Sequence, residues 1–114
     1  MKVKISLNST RGEFEATGIY EDGNIVVYKG SRINKVTVGN IGGGKAVRAI
    51  RENGNIVDRK GILLSDCSFS SPSTAANFVT GRSSNGYIAW RVDNKNNLGK
   101  YLGREKTKGS KSSY

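Results

Sequence analysis

The first thirty residues alternate apolar and polar side chains at a period of two, interrupted at short intervals by turn chemistry. Successive side chains of an extended strand point to opposite faces, so Lys2-Val3-Lys4-Ile5-Ser6-Leu7 reads as a strand with one face buried. Asn8-Ser9-Thr10-Arg11-Gly12 supplies a turn, and Phe14 to Tyr20 a second strand. Asp22-Gly23 tolerates the positive φ angles of a tight hairpin, and Ile25-Val26-Val27-Tyr28 follows as a third strand, closed by Gly30-Ser31. An antiparallel meander is predicted.

Downstream the periods change. Ile33 to Val38 reads either as a short strand or as an extended link. Lys45 to Glu52 has helical spacing, with Ala46, Val47, Ala49 and Ile50 on one side and Lys45, Arg48 and Arg51 on the other. Gly54 suits a left-handed helix cap. Ile62 to Phe69 is a predicted strand. Ser71-Pro72 begins a helix, since Ser71 can accept from free amides and Pro72 lacks only an N–H that the first turn leaves unbonded. Gly81 stops that helix, and Ala75 and Ala76 let it approach a sheet closely. Asn85-Gly86 predicts a tight turn leading into a last strand, Tyr87 to Val92. Gly103 to Tyr114 has almost no apolar content and reads as a flexible basic tail. The expectation is a single α+β domain over residues 1–102, an antiparallel sheet of about five strands with two short helices packed on it, and a flexible tail over 103–114.

Chemistry is narrowed by what the chain lacks. With 114 residues there is material for one core. There is no histidine and one cysteine, which removes Ser-His-Asp and Cys-His catalysis and the usual zinc sites. Cys67 is expected to be a buried structural thiol. Glu13, Glu15, Glu21 and Asp22 form the one acidic cluster, and a solvated face is favoured over a metal site. Gly39-Asn40-Ile41-Gly42-Gly43-Gly44-Lys45-Ala46 resembles a phosphate-binding loop. Ala46, however, replaces the hydroxyl that holds magnesium, so a glycine hinge, or a loop meeting a nucleic-acid phosphate, is the reading. No apolar run has the roughly 20 residues needed to cross a bilayer, and the N-terminal heptad lacks a secretory h-region. The expectation is a cytoplasmic protein that is not an enzyme and uses no cofactor or metal.

The net charge is +10, and residues 31–92 carry nine basic against three acidic side chains. Such a field draws polyanions, and nucleic acid is the first candidate partner, ahead of a membrane surface. Lys45, Arg48 and Arg51 suit a phosphate backbone, with a solvated helix exterior weighed equally. The loop Gly81-Arg82-Ser83-Ser84-Asn85-Gly86 gathers a guanidinium, hydroxyls and an amide, where Arg82, Ser83 and Asn85 can meet phosphates or base edges. The alternative is that the loop only builds its turn. Tyr87 or Trp90 can stack on a base, with burial favoured.

The run Asp66-Cys67-Ser68-Phe69-Ser70-Ser71-Pro72-Ser73-Thr74-Ala75-Ala76, followed by Gly81-Arg82-Ser83-Ser84-Asn85-Gly86-Tyr87-Ile88-Ala89-Trp90, resembles the bacterial and phage domain of unknown function family 4357. The resemblance covers roughly residues 13–91, and the same grammar is similar to the restriction-enzyme and adenine-methylase-associated domain. It implies an accessory module without catalysis of its own, found beside GIY-YIG-type nuclease domains or in restriction-modification settings. The combined expectation is a non-enzymatic DNA-binding module, DNA being favoured over RNA. Lys45, Arg48 and Arg51 would hold phosphates, and Arg82, Ser83, Asn85 and Ser73 would sit at backbone or bases. The alternative is a protein-interaction or structural module, and monomer and homodimer both remain open.

Overall fold

Each strand of the meander forms where the alternation places it. The computed structural model describes residues 2–37 and 44–109. Strands β1 (Lys2–Asn8), β2 (Glu15–Glu21), β3 (Asn24–Val27) and β4 (Cys67–Phe69) make one antiparallel sheet in sequential order. Lys2 pairs with Glu21 and Asn8 with Glu15 across β1 and β2, and Glu21 with Asn24 closes the hairpin. Asp22 and Gly23 turn it with φ of 50° and 90°. Val3, Ile5 and Leu7 of β1, Ile25 and Val27 of β3, and Cys67 and Phe69 of β4 lie buried in one core.

Helix α2 (Pro72–Thr80) closes that core. Ser71 caps it by accepting from the Thr74 amide at 3.1 Å, and Gly81 ends it at φ 77°. Ala75, Ala76, Phe78 and Val79 are fully buried, and the Phe78 ring meets Phe69 at 4.9 Å between centroids. Helix α1 (Gly44–Glu52) attaches more lightly. Only Val47 is buried and Ile50 half-buried, while Ala46 and Ala49 are exposed, so its apolar face is narrower than predicted. Gly54 is not left-handed. The helix end is turned instead around Asn53, whose carbonyl accepts from Ile56 and Val57 and whose side chain accepts from Asn55.

Three expectations are corrected. The sheet has four strands, not five, because Tyr87 to Val92 is not a strand. Asn85 accepts from the Tyr87 amide and starts a short helix, α3 (Gly86–Ala89), after which Arg91 makes a single bridge to Ser6 at the β1 edge. The predicted strand Ile62 to Phe69 shrinks to its last three residues. Ile62 and Leu63 make isolated bridges to Arg32 and Val57, and the Asp66 carboxylate bends away to accept from the Lys29 amide. Helix α4 (Leu98–Gly109) runs into the basic end, so the described residues hold four helices where two were expected. Asn97 accepts from the Lys100 amide at its start, and Leu98 is fully buried with Tyr101 and Leu102 half-buried against the core. Ile33 to Thr37 forms no strand but a link that bends at Lys35, where the Asn34 side chain accepts from the Val36 amide. Residues 110–114 of the expected tail, Val38, and Gly39 to Gly43 of the glycine loop lie outside the described residues.

One joint ties the helices together. Trp90 is fully buried and its indole N–H donates to the Pro72 carbonyl at 3.1 Å. Gly86 lies against the same carbonyl, and a Cβ there would stand 2.1 Å from the Pro72 carbonyl carbon. The Gly86 amide donates to Ser73 Oγ at 3.0 Å. The Trp90 carbonyl accepts from Leu98, and Arg91 exchanges two backbone bonds with Ser6, so α2, α3, α4 and β1 converge here.

Gly86→Ala therefore forces backbone apart and is expected to cost about 2–3 kcal/mol, read as a fall in thermal midpoint. Gly103→Ala, an exposed helical glycine with nothing within 4 Å of its would-be Cβ, is expected to leave stability unchanged or raise it by up to about 1 kcal/mol.

Candidate functional site

The basic residues of α1 divide by role. The Arg51 guanidinium is half-buried and donates from one terminal nitrogen to the Phe78 carbonyl and from the other to the Asn34 carbonyl. Burial depresses its pKa from the usual arginine range. Helix α2 has no basic residue in its last turn, so Arg51 brings, from another helix, the cation that the negative end of α2 favours. The Asn34 amide in turn donates to the Val79 carbonyl at 2.8 Å, and Gly81 packs so closely that its Cβ would meet the Val36 carbonyl oxygen at 2.2 Å. The end of α2, the 34–36 link and α1 are thus knitted by one side chain.

Around that knot lies a cleft of about 690 Å³. Its walls come from three separate segments: Ile33, Lys35 and Thr37 of the link, Arg48, Arg51 and Glu52 of α1, and Gly54, Val57, Asp58 and Arg59 beyond it. Four basic side chains face two acidic ones. Asp58 is partly engaged already, because one carboxylate oxygen accepts from the Lys60 and Ile62 amides and shapes the turn that carries Arg59. Lys35, Arg48 and Arg59 are exposed. Exposed cations on the walls around a fixed guanidinium make an environment for an anion.

The other predicted residues separate in the same way. Ser73 Oγ accepts from Gly86, and Asn85 Oδ1 accepts from Tyr87, so both serve the α2–α3 joint. Arg82 and Ser83 are exposed on a loop whose backbone is held from below. Buried Asn77 accepts from the Ser84 amide at 2.7 Å, and buried Thr80 donates to the Arg82 carbonyl. Arg82 follows Gly81, whose would-be Cβ stands 3.5 Å from the Arg51 guanidinium, so the loop adjoins the cleft. Lys45 is exposed at the start of α1. Of the aromatics, Trp90 is buried while Tyr87 is 41% exposed on α3 beside Ile88 at 62%. Sequence reading missed Lys35 and Arg59. The signal for Arg59 was the turn grammar of Asp58-Arg59-Lys60-Gly61, which fixes a basic residue at a loop tip; nothing in sequence marked Lys35.

Cys67 is buried, and burial first, then the neighbouring Asp66 charge, push its thiol pKa up. That makes it a poor nucleophile. Among the described residues there is no group of three or more Cys, Asp, Glu or His placed to hold a metal ion, and no helix is long and apolar enough to cross a membrane.

Two outcomes follow from these placements. Arg51→Lys is expected to lower stability by about 2 kcal/mol, measured by denaturant unfolding, because one ammonium cannot span two carbonyls. For Cys67, the folded thiol holds its proton above the pH at which the unfolded thiol loses it. Its contribution is thus complete below the ordinary thiol value of about 8.5 and declines as pH rises toward the folded value. The thermal midpoint of the Cys67→Ala variant, followed upward from about pH 8, is expected to fall less steeply than that of the parent chain.

No curated protein and no solved structure gives a significant match to the chain. A family model described as Domain of unknown function (DUF4357) matches residues 5–102, from β1 into α4 and across the whole α2–α3 joint, and the chain belongs to that family.

Proposed function

We propose that this domain is a non-enzymatic accessory module that binds nucleic acid through its basic cleft and the adjoining Arg82 loop. The observation that carries the reading is the convergence of Lys35, Arg48, Arg51 and Arg59 on one cleft, one residue away from the exposed Arg82. A polyanion neutralises several such cations at once, and release of its counterions drives association. A second support comes from the residues on which the family resemblance rests. Ser71, Pro72, Ser73, Gly81, Asn85, Gly86 and Trp90 each have a capping or packing task, whereas Arg82 and Ser83 stand exposed. We propose DNA as the polymer and the cytoplasm as the compartment, following the restriction-modification setting that the resemblance implies.

A second reading, a protein-docking module, is favoured by one feature: Tyr87 and Ile88 lie exposed side by side on α3, away from the core. In that case their replacement would abolish function while the cleft cations would be dispensable.

A titration of labelled duplex and single-stranded DNA against salt tests the proposal. Log K is expected to fall linearly with log[salt], with a slope of about −0.9 per phosphate neutralised on duplex. Arg48→Gln and Arg82→Gln are each expected to reduce that slope by about one unit. Absence of binding at low salt overturns the reading.

A further inference from the structure

The cleft differs from the surfaces that read intact duplex. Duplex DNA presents its phosphates on a convex cylinder, and proteins that read its bases push a protruding helix or ribbon into a groove. Here the cations line a hollow. Lys35, Arg48 and Arg59 rise from three different segments around it, and Arg51 is fixed behind them by its two carbonyl bonds. A duplex can touch the rim of such a hollow but cannot enter it.

The lining is also more than a polyanion site requires. Ile33 and Val57, both almost fully buried, add apolar atoms to the lining, and Arg51, which also lines the cleft, carries a guanidinium held by two carbonyls, a planar cation of the kind on which a nucleobase stacks. Glu52 puts a carboxylate on the same wall. Toward bare phosphate this group is repulsive, but toward the N–H groups of an unpaired base it is an acceptor. A volume near 690 Å³ lies within the range of about 300–1,000 Å³ typical of small-ligand pockets. Cations for the phosphate, a flat face and apolar wall for the base, and an acceptor for its edge are together the requirements of one nucleotide.

We propose that the cleft seats a single unpaired nucleotide of the bound strand, with its phosphate at Lys35, Arg48 and Arg59 and its base between the Arg51 plane and Glu52. This rests on the nucleic-acid reading above and adds a preference for single-stranded or locally opened DNA over intact duplex.

The test is fluorescence anisotropy at one fixed low salt with three probes of the same sequence: a single strand, a perfect duplex, and a duplex carrying one unpaired internal nucleotide. The single strand and the bulged duplex are expected to bind about tenfold more tightly than the perfect duplex, the effect of one well-stacked base. Glu52→Ala and Arg59→Gln lie at exposed positions, and the emission of the sole tryptophan, buried Trp90, checks that each variant is folded. Both variants are expected to lose most of the preference, Glu52→Ala with duplex affinity unchanged or raised because a charge repulsive to phosphate is gone. Equal affinity for all three probes overturns this inference while leaving nucleic-acid binding intact. An undiminished preference in both folded variants overturns the assignment to the cleft. Failure of every probe to bind overturns the nucleic-acid reading itself.

Discussion

The contact between the Pro72 carbonyl and the indole of Trp90 is the constraint on which the rest of the structure depends. A carbonyl in the first turn of a helix has its partner one turn ahead along the axis, and here it also faces a second, fully buried donor. For the indole to reach it, α3 must cross α2 with nothing but hydrogen at position 86. Once that crossing is set, the backbone of Trp90 and Arg91 is placed to meet Leu98 on one side and Ser6 on the other. Four elements acquire their relative positions from one close approach. A sheet of four strands, the last only three residues long, would otherwise have little to hold its second half.

Arg51 performs the corresponding task at the opposite end of α2. It is a cation enlisted in the framework, joining carbonyls from two segments that are distant in sequence. Around it the remaining cations have no comparable structural duty. The division is physically sensible, since an immobilised guanidinium loses little further freedom when a ligand arrives, and exposed lysine or arginine side chains are cheap to keep in water.

The strands of the first thirty residues and the helix from Pro72 to Thr80 were legible because local chemistry decides them: period-two alternation, an Asp-Gly turn, a serine cap followed by proline, a terminal glycine. Tyr87 to Val92 was not, because its β-rich composition competes with a cap supplied by Asn85 and with a burial site for Trp90 that exists only in the folded chain. Gly86 looked like turn chemistry, and its actual reason, a carbonyl fourteen residues earlier in the chain, leaves no local trace. Helix α4 went unforeseen for a related cause. One buried leucine and two half-buried side chains suffice to start α4, and composition averages them away. In the candidate site, Lys45, Arg48 and Arg82 were identified by charge, and all three are exposed. Arg51 was grouped with them, because helical periodicity gives direction around an axis but not what stands opposite. Lys35 and Arg59 were overlooked because convergence of separated segments is a property of the tertiary structure.

The wall that carries Arg59 has a different standing from the rest. It is a reversal held by Asp58 and by isolated bridges, outside every strand of the sheet. Residues added to or removed from that reversal would alter the width and depth of the recess while the sheet and α2 stayed as they are. Relatives built on the same scaffold therefore have an inexpensive route to divergent selectivity, by remodelling one hairpin bend and leaving the architecture untouched.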